Sequence, residues 1–468
     1  MNKPLANSPA ARDIAHVFHP QTDLAGIRQS GPLIVSRGKG VRVWDEDGTE
    51  YIETMAGLWC TALGFDNERL VEAAVRQMRK LPFYHGFAAR GHEPMIDLAE
   101  KLMAIAPVPM SKAFFANSGS EANDTAIKLC WYYNNALGRP EKKKIVSRQK
   151  AYHGVTIATG SLTGLPPIHN DFDLPLRSGH FLHTTCPHHY RVAEAGESEE
   201  QFADRCASDL EKLIEDEGPE TIAAFFAEPV MGAGGVMLPP RTYFEKIQAI
   251  LKKHDILFVA DEVVTGFGRT GNMWGSQTYD LQPDMITCAK ALSSAYLPIS
   301  ALLVNDRVYD VMVSQSEKLG IFGHGYTYSG HPVPAAVAVE TLKIYEEIDI
   351  VGHVRDVGPY MQKQLQERFA GHPLVGNVRG IGLIAGVELM KDGPLRIPFD
   401  PKLKVGPNVM KAAQRHGLIM RAIGDTLAFS PPLVIDRNEI DQMCERFQAT
   451  LDEVLGMLQR SGELARGA

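Results

Sequence analysis

Cysteine is scarce and unpaired in this sequence. Cys60, Cys130, Cys186, Cys206, Cys288 and Cys444 are scattered, and no CxxC occurs. That pattern argues against disulfides and suits a reducing cytosol. There is no surplus of positive charge either. A formal net charge of −8 speaks against a nucleic-acid backbone or an anionic membrane as the main partner. A small molecule or another protein is the remaining expectation. No apolar run is a plausible membrane span. In "MITCAKALSSAYLPISALLV", Met285 to Val304, the run is broken by Lys290, Ser293, Ser294, Tyr296 and Pro298. The opening "MNKPLANSPAARDIAHVFHP" has no apolar core of signal-peptide length and contains Asp13, as expected of a mature cytoplasmic start. Repeats of fixed period, low-complexity segments and a GxxxxGK[ST] phosphate loop are all missing.

What is present is an ordinary soluble composition, 44% hydrophobic and 22% charged, over 468 residues. That length exceeds the usual single core and predicts two domains. The stretch "LIVSRGKGVRVWDEDGTEYIE" alternates apolar positions around a "DG" turn, which predicts N-terminal strands. From about residue 66, helices alternate with the short apolar runs "KAFFA", "KIVSR", "TIAAFFAEPV", "ILFVADEVV", "MITCA" and "ISALLV". Such alternation implies a largely parallel sheet with helices on both faces. After Pro334 the chain turns helical, gives the short strands of "VGNVRGIGLIAGVEL", and closes with helices. The expected fold class is therefore α/β. A large domain over 66–333 carries the mostly parallel sheet, and a smaller α+β domain is made from 334–468 with the N-terminal segment 1–65.

In open α/β sheets, ligands bind beyond the carboxyl ends of the strands. "KAFFANSGSEANDTAIKL" reads there as strand, small-residue turn and helix. Gly119 allows close backbone approach, Ser120 adds a hydroxyl, and the free N–H groups at the helix start favour a phosphate. A plain N-cap box, Ser118 with Glu121, explains the same residues. "ILFVADEVV" ends in Asp261, a carboxylate after a buried run, which is costly without a partner. "TIAAFFAEPV" ends in Glu228. "AYHGVT" sets Tyr152 and His153 beside Gly154, where an aromatic is either core or a stacking platform for a flat ring.

Two patterns lead elsewhere. "GFGRTG" places Gly266, Gly268 and Gly271 in a dinucleotide-like spacing, but "NMWGSQTYDLQPD" follows without the helix that such a site requires. A nicotinamide-dependent oxidoreductase is thus disfavoured. His183, Cys186, His188 and His189 cluster in "HTTCPHHY", yet the spacing fits no zinc pattern, and no metal is expected. Taken together, a phosphate cradle, a ring stacker, a strand-end carboxylate and a lysine in an apolar setting suit one ligand, pyridoxal phosphate. Apolar surroundings depress the pKa of Lys290 and supply a neutral amine to attack the aldehyde. Asp261 would keep the ring nitrogen protonated.

"ANSGSEAND", "AYHG", "AEPVMGAGGV", "ADEVVTGFGRTG", "CAKALSSAYLPISA" and "HGYTYSGHP" together resemble the class III aminotransferases, or ω-transaminases. "GLWCTALGF" and "WYYNNALGRPEKKK" resemble the pyruvate-using subgroup, which takes amines, β-alanine, diamines or 4-aminobutyrate. The resemblance implies a type I fold and a homodimer with sites at the subunit interface; a tetramer built from dimers stays open. It implies that Gly119 and Ser120 hold the phosphate from one subunit and Thr327 from the other. Tyr152 and Val263 would pack on the two ring faces. Ser118 and His153 belong to the same cofactor set, Glu228 would support the Asp261 network, and Lys290 would be the Schiff-base lysine. Arg421 would clamp the substrate carboxylate, with Trp59 and Phe87 lining an apolar pocket. Relatives that use 2-oxoglutarate carry a glutamate where this chain has Ala233, and a glutamine at Val264. The expected reaction moves an amino group from a primary amine or ω-amino acid to pyruvate. The alternatives are a 4-aminobutyrate or diamine aminotransferase using 2-oxoglutarate, an aminomutase or decarboxylase of the same fold, the oxidoreductase, and a non-catalytic binding protein.

Overall fold

A computed structural model describes residues 7–464; the outer ends of the expected terminal segments, 1–6 and 465–468, lie outside the described residues. Three strands come first: β1 (Val35–Lys39), β2 (Arg42–Asp45) and β3 (Glu50–Glu53). They form an antiparallel meander, with Asp47 and Gly48 in the turn between β2 and β3. Next come β4 (Lys112–Ala116), β5 (Lys144–Arg148), β6 (Phe181–Thr184), β7 (Ile222–Ala227), β8 (Leu257–Asp261), β9 (Met285–Cys288) and β10 (Ser300–Val304). These build one sheet in the order β4-β10-β9-β8-β7-β5-β6. Strands β9, β8, β7, β5 and β6 are parallel neighbours, while β10 runs antiparallel to both β9 and β4.

The central strands show why the sheet is covered on both sides. All six residues of β7, "IAAFFA", are buried, as are all five of β8. Alternation would leave every second residue wet, so a continuous apolar run demands helices above and below. The expected apolar runs are all strands. β6 has no counterpart among the expected runs: it is a four-residue edge strand, "FLHT", whose last two residues open the "HTTCPHHY" segment.

The C-terminal third supplies β11 (Val375–Ile381), β12 (Ile384–Leu389), β13 (Leu418–Ile419), β14 (Arg421–Ile423) and β15 (Thr426–Phe429). β11, β12, β15 and β14 form a second antiparallel sheet. β13 instead pairs parallel with β3, so the N-terminal meander and the C-terminal third share one sheet. The largest core runs without a break from the meander (Val41, Ile52) through Ile286 and Leu303 of the central sheet to Leu427, Phe447 and Leu451. "GFGRTG" opens no dinucleotide helix. Arg269 in its middle is buried and donates to the carbonyls of Leu383 (2.9 Å) and Pro431 (2.6 Å), tying the central sheet to the C-terminal part.

Candidate active site

Neighbouring parallel strands lie about 4.8 Å apart, so the carboxyl ends of β9, β8, β7 and β5 bring their following residues together. Lys290 stands two residues beyond β9, Asp261 closes β8, Glu228 follows β7, and Tyr152 and His153 follow β5. Ser118, Gly119 and Ser120 come from the turn after β4. These residues, with Val263 and Val264, line one cavity of about 410 Å³. A larger cleft of about 1080 Å³, between the Tyr243–Lys253 helix and β8, contains none of the candidate residues.

Asp261 is wired from behind. His153 Nδ1 donates to Asp261 Oδ2 (2.8 Å), and so does Asn123 Nδ2 (2.8 Å). Asn123 is held in turn by Thr287 Oγ1, which donates to its Oδ1 (2.9 Å). Among the described residues, Oδ1 of Asp261 takes only the Val263 amide (3.1 Å), leaving a lone pair for a donor in the cavity. Burial alone would raise the Asp261 pKa. The hydrogen bond and attraction from His153, with the Val263 and Asn123 donors, outweigh burial and hold the carboxyl below its ordinary value. The site therefore keeps a dry carboxylate ionised. Glu228 is buried, and the charges of His153 and Asp261 act on it. Its two oxygens accept the amides of Tyr152 (3.0 Å) and Gly232 (3.1 Å), so it fixes the loop that presents Tyr152. Burial pushes its pKa up.

Lys290 has no hydrogen-bond or ion-pair partner for its amine among the described residues. Burial lowers its pKa, against the pull of Asp261, Cys60 and Glu228 and with help from Arg421. Its backbone is left-handed, with φ of 50°, a strain of about 1–3 kcal/mol for a non-glycine residue that structures retain mainly at functional sites. The opposite end of the cavity is the start of the Gly119–Ala136 helix. Ser118 Oγ accepts the Glu121 amide (3.2 Å), so the plain cap forms, while free N–H groups of the first turn remain beside the cavity. Gly119 is needed there: a Cβ would come within 3.0 Å of Val263 Cγ1. The Ser120 hydroxyl accepts the Val155 amide (3.3 Å).

Other candidates do not line this cavity. Trp59 is buried against Met55, Val230, Val236 and Ile384, while its neighbours Leu58 and Cys60 line the cavity wall. Phe87 and Thr327 are exposed, and Phe87 packs beside Gly325. Ala233 is half-buried, next to the Gly232 amide that Glu228 holds. Arg421, at the start of β14, is half-buried, and its charge acts on both Tyr152 and Lys290. The four residues of the suspected metal cluster diverge. His183 donates to the Leu162 carbonyl (3.0 Å), His189 to that of Glu197 (2.9 Å), and Cys186 Sγ to Met237 Sδ (3.4 Å). His188 is buried near Glu388 (3.6 Å), with its pKa pushed down to about 3 by burial and Arg379.

Residues 26–451 match the model of the aminotransferase class-III family. The chain belongs to the class III aminotransferases. Among relatives of this aminotransferase, gamma-aminobutyrate transaminase 1, mitochondrial, of Oryza sativa subsp. japonica is 53% identical over 413 residues, 88% of this chain and 80% of the relative. The omega transaminase of Pseudomonas jessenii in complex with PMP superposes with a TM-score of 0.95 at 54% identity, covering 96% of this chain and 99% of that one. A transaminase solved with L-ala superposes with a TM-score of 0.89 at 59% identity, covering 91% and 100%. Class III aminotransferases have a type I fold and use pyridoxal phosphate, and the cavity suits that cofactor. An unpartnered buried amine, an ionised carboxylate with a free lone pair, and a helix start close-packed through glycine all face one space.

Sequence reasoning missed Asn123, although it lies four residues after Gly119 and so on the same helix face. It also singled out neither Leu58 and Cys60 of "GLWCTALGF" nor Leu297, Pro298 and Ile299 of "CAKALSSAYLPISA", which line the cavity. No helix among the described residues is long and apolar enough to cross a membrane.

Proposed function

We propose that this aminotransferase moves the amino group of a primary amine or ω-amino acid to pyruvate, releasing an aldehyde or ketone and alanine. The observation that carries this reading is Arg421. It is a half-buried guanidinium with no carboxylate partner among the described residues, close enough for its charge to act on Lys290 and Tyr152. Such a fork suits a planar carboxylate through two parallel hydrogen bonds, and pyruvate brings one. Ala233 supports pyruvate over 2-oxoglutarate, since that position supplies no acid to hold the arginine when the carboxylate is absent. The relative solved with L-ala is consistent with alanine as product. The rice relative's name keeps 4-aminobutyrate among the donors.

Pyridoxal phosphate supplies the aldehyde that takes up the amine and a ring that draws electrons from the neighbouring carbon. Lys290 Nζ, whose pKa burial lowers, would accept the proton from the donor's amine-bearing carbon and pass it to the cofactor's aldehyde carbon. Asp261 holds a proton on the ring nitrogen, with His153 and Asn123 fixing its orientation. Gly119 and Ser120 bind the phosphate, Tyr152 and Val263 cover the ring faces, and Glu228 steadies Tyr152. Ser118 caps the helix that presents the phosphate site. Trp59 and Phe87 shape the donor side.

A homodimer completes the site, with Thr327 of the partner subunit on the phosphate. An exposed aromatic patch supports this. Phe83 lies 5.6 Å from Tyr328, Tyr84 and Phe87 are exposed beside them, and Thr327 sits in the same surface. Contiguous exposed apolar surface of this kind marks an interface. The pairing of β13 with β3 supports a small domain formed from 1–65 and 334–468 around a cofactor-binding domain at 66–333. Six free cysteines support a cytoplasmic setting.

Steady-state kinetics with one amine and two acceptors test the reading. A kcat/KM for pyruvate about 100-fold above that for 2-oxoglutarate is expected, which corresponds to loss of one well-made contact. Equal values would overturn the pyruvate assignment.

A further inference from the structure

The Arg421 side chain has one hydrogen-bond partner among the described residues. Its Nη2 donates to the side-chain carbonyl of Gln21, 3.1 Å away. The partner comes from the opposite end of the chain. Gln21 sits in the turn between the helices Pro9–His16 and Leu24–Ser30, and neither helix buries a residue. The segment therefore drapes over the protein without contributing to its core. The turn is nevertheless defined. Gln21 has a left-handed backbone (φ 47°), Thr22 Oγ1 donates to the Pro20 carbonyl (2.9 Å), and Asp23 caps the next helix through the amides of Ala25 (3.1 Å) and Gly26 (3.0 Å). Behind it, His19 pairs with Asp13 (2.7 Å).

We infer that Gln21 is a specificity-determining positioning residue, a neutral placeholder that occupies Arg421 until a substrate carboxylate displaces it. This rests on the reading of Arg421 as the carboxylate clamp. The contact is open to solvent, so water competes for the guanidinium while a carboxylate-free amine is in the site, and the Gln21 amide is the protein acceptor already in place. Its carbonyl makes one bond to one nitrogen. A carboxylate makes two charge-assisted bonds and wins the exchange. An acidic residue at position 21 would hold the arginine too firmly.

The test is a double-mutant cycle on the holoenzyme, with pyruvate as acceptor and a carboxylate-free arylalkylamine as donor. Gln21→Glu is expected to raise the KM for pyruvate about tenfold, with the change in KM rather than in kcat. Gln21→Ala should leave that KM unchanged or lower it. Arg421→Ala should raise it strongly, and in that background Gln21→Glu should have no further effect. Loss of the Gln21→Glu effect in the double variant supports action through Arg421. Persistence of the full effect there would mean simple repulsion of pyruvate, and would overturn the proposal. A silent Gln21→Glu beside a damaging Arg421→Ala overturns the placeholder alone. A silent Arg421→Ala overturns the clamp reading and the placeholder with it. Retained visible cofactor absorbance in each variant checks that the fold and the loaded site survive.

Discussion

His153 Nδ1 stands 2.8 Å from Asp261 Oδ2, and neither side chain reaches solvent to any useful extent: their exposures are 0% and 4%. The pair sits at the rear of the cavity, where burial should neutralise an acid, yet Asp261 is held below its ordinary pKa. Asp261→Asn keeps the shape and removes the charge. It is expected to lower kcat about 10²- to 10³-fold, the usual loss for one preorganised electrostatic partner. His153→Ala should cost less, about tenfold, because Asn123 and the Val263 amide remain. A His153 variant as damaging as the Asp261 variant would mean that the histidine itself touches cofactor or substrate.

Among the described residues, Lys290 is the only lysine lining the cavity. Lys290→Ala should reduce turnover by at least about 10⁴-fold, the upper range for a single acid–base group. Lys290→Arg should not restore it, because a guanidinium does not give up its proton near neutral pH. A small soluble amine added to Lys290→Ala should recover part of the proton-transfer rate, read as bleaching of the visible band by donor in stopped flow.

Glu53 closes β3 and accepts the amides of Gly57 (2.5 Å) and Met55 (3.2 Å). It thereby fixes the Met55–Cys60 loop beside the cavity, in which Ala56, Gly57 and Trp59 all have positive φ. Burial pushes its pKa up to about 8, only partly opposed by those two amides. Between its ordinary value and about 8, the unfolded chain has released the proton and the folded chain keeps it. The unfolded state then binds fewer protons, so stability falls as pH rises through that window and is fullest below it. Melting temperatures at pH 5 and pH 9 should show this loss in the parent protein and a smaller one in Glu53→Gln. An identical pH dependence in both would remove Glu53 as its source.

Thr327 is exposed and does not line the cavity. If the partner subunit's Thr327 binds the phosphate, Thr327→Ala should weaken pyridoxal phosphate binding by about tenfold, the value of one hydrogen bond to a charged group. Cofactor titration of the apoprotein, followed by absorbance, checks it. Unchanged affinity would confine the phosphate site to one subunit.

Much of this arrangement is legible in the chain because it is local. "IAAFFA" and "ILFVA" are apolar runs buried throughout, as in a sheet covered on both faces, and the first polar residue after each, Glu228 and Asp261, lines the cavity. Lys290 is conspicuous for the same reason. The rest depends on distant pairings. Nothing local to Asn123 announces that it braces Asp261, and Gln21 meets Arg421 across a separation of 400 residues. β6 is too short and too polar to stand out. Trp59 shows the remaining difficulty: the same indole is core by burial and pocket by proximity, and only the fold shows that it backs the wall rather than facing the space.

The central claim is a two-stage amine transfer on pyridoxal phosphate held by Lys290, with pyruvate as acceptor. It is tested most directly by the visible spectrum of the purified protein, recorded before and after adding an amine, and again after adding pyruvate or 2-oxoglutarate. A yellow protein that the amine bleaches and pyruvate restores is expected, with 2-oxoglutarate far slower. Restoration by 2-oxoglutarate alone would contradict the acceptor, and a band that no amine bleaches would contradict the transfer itself.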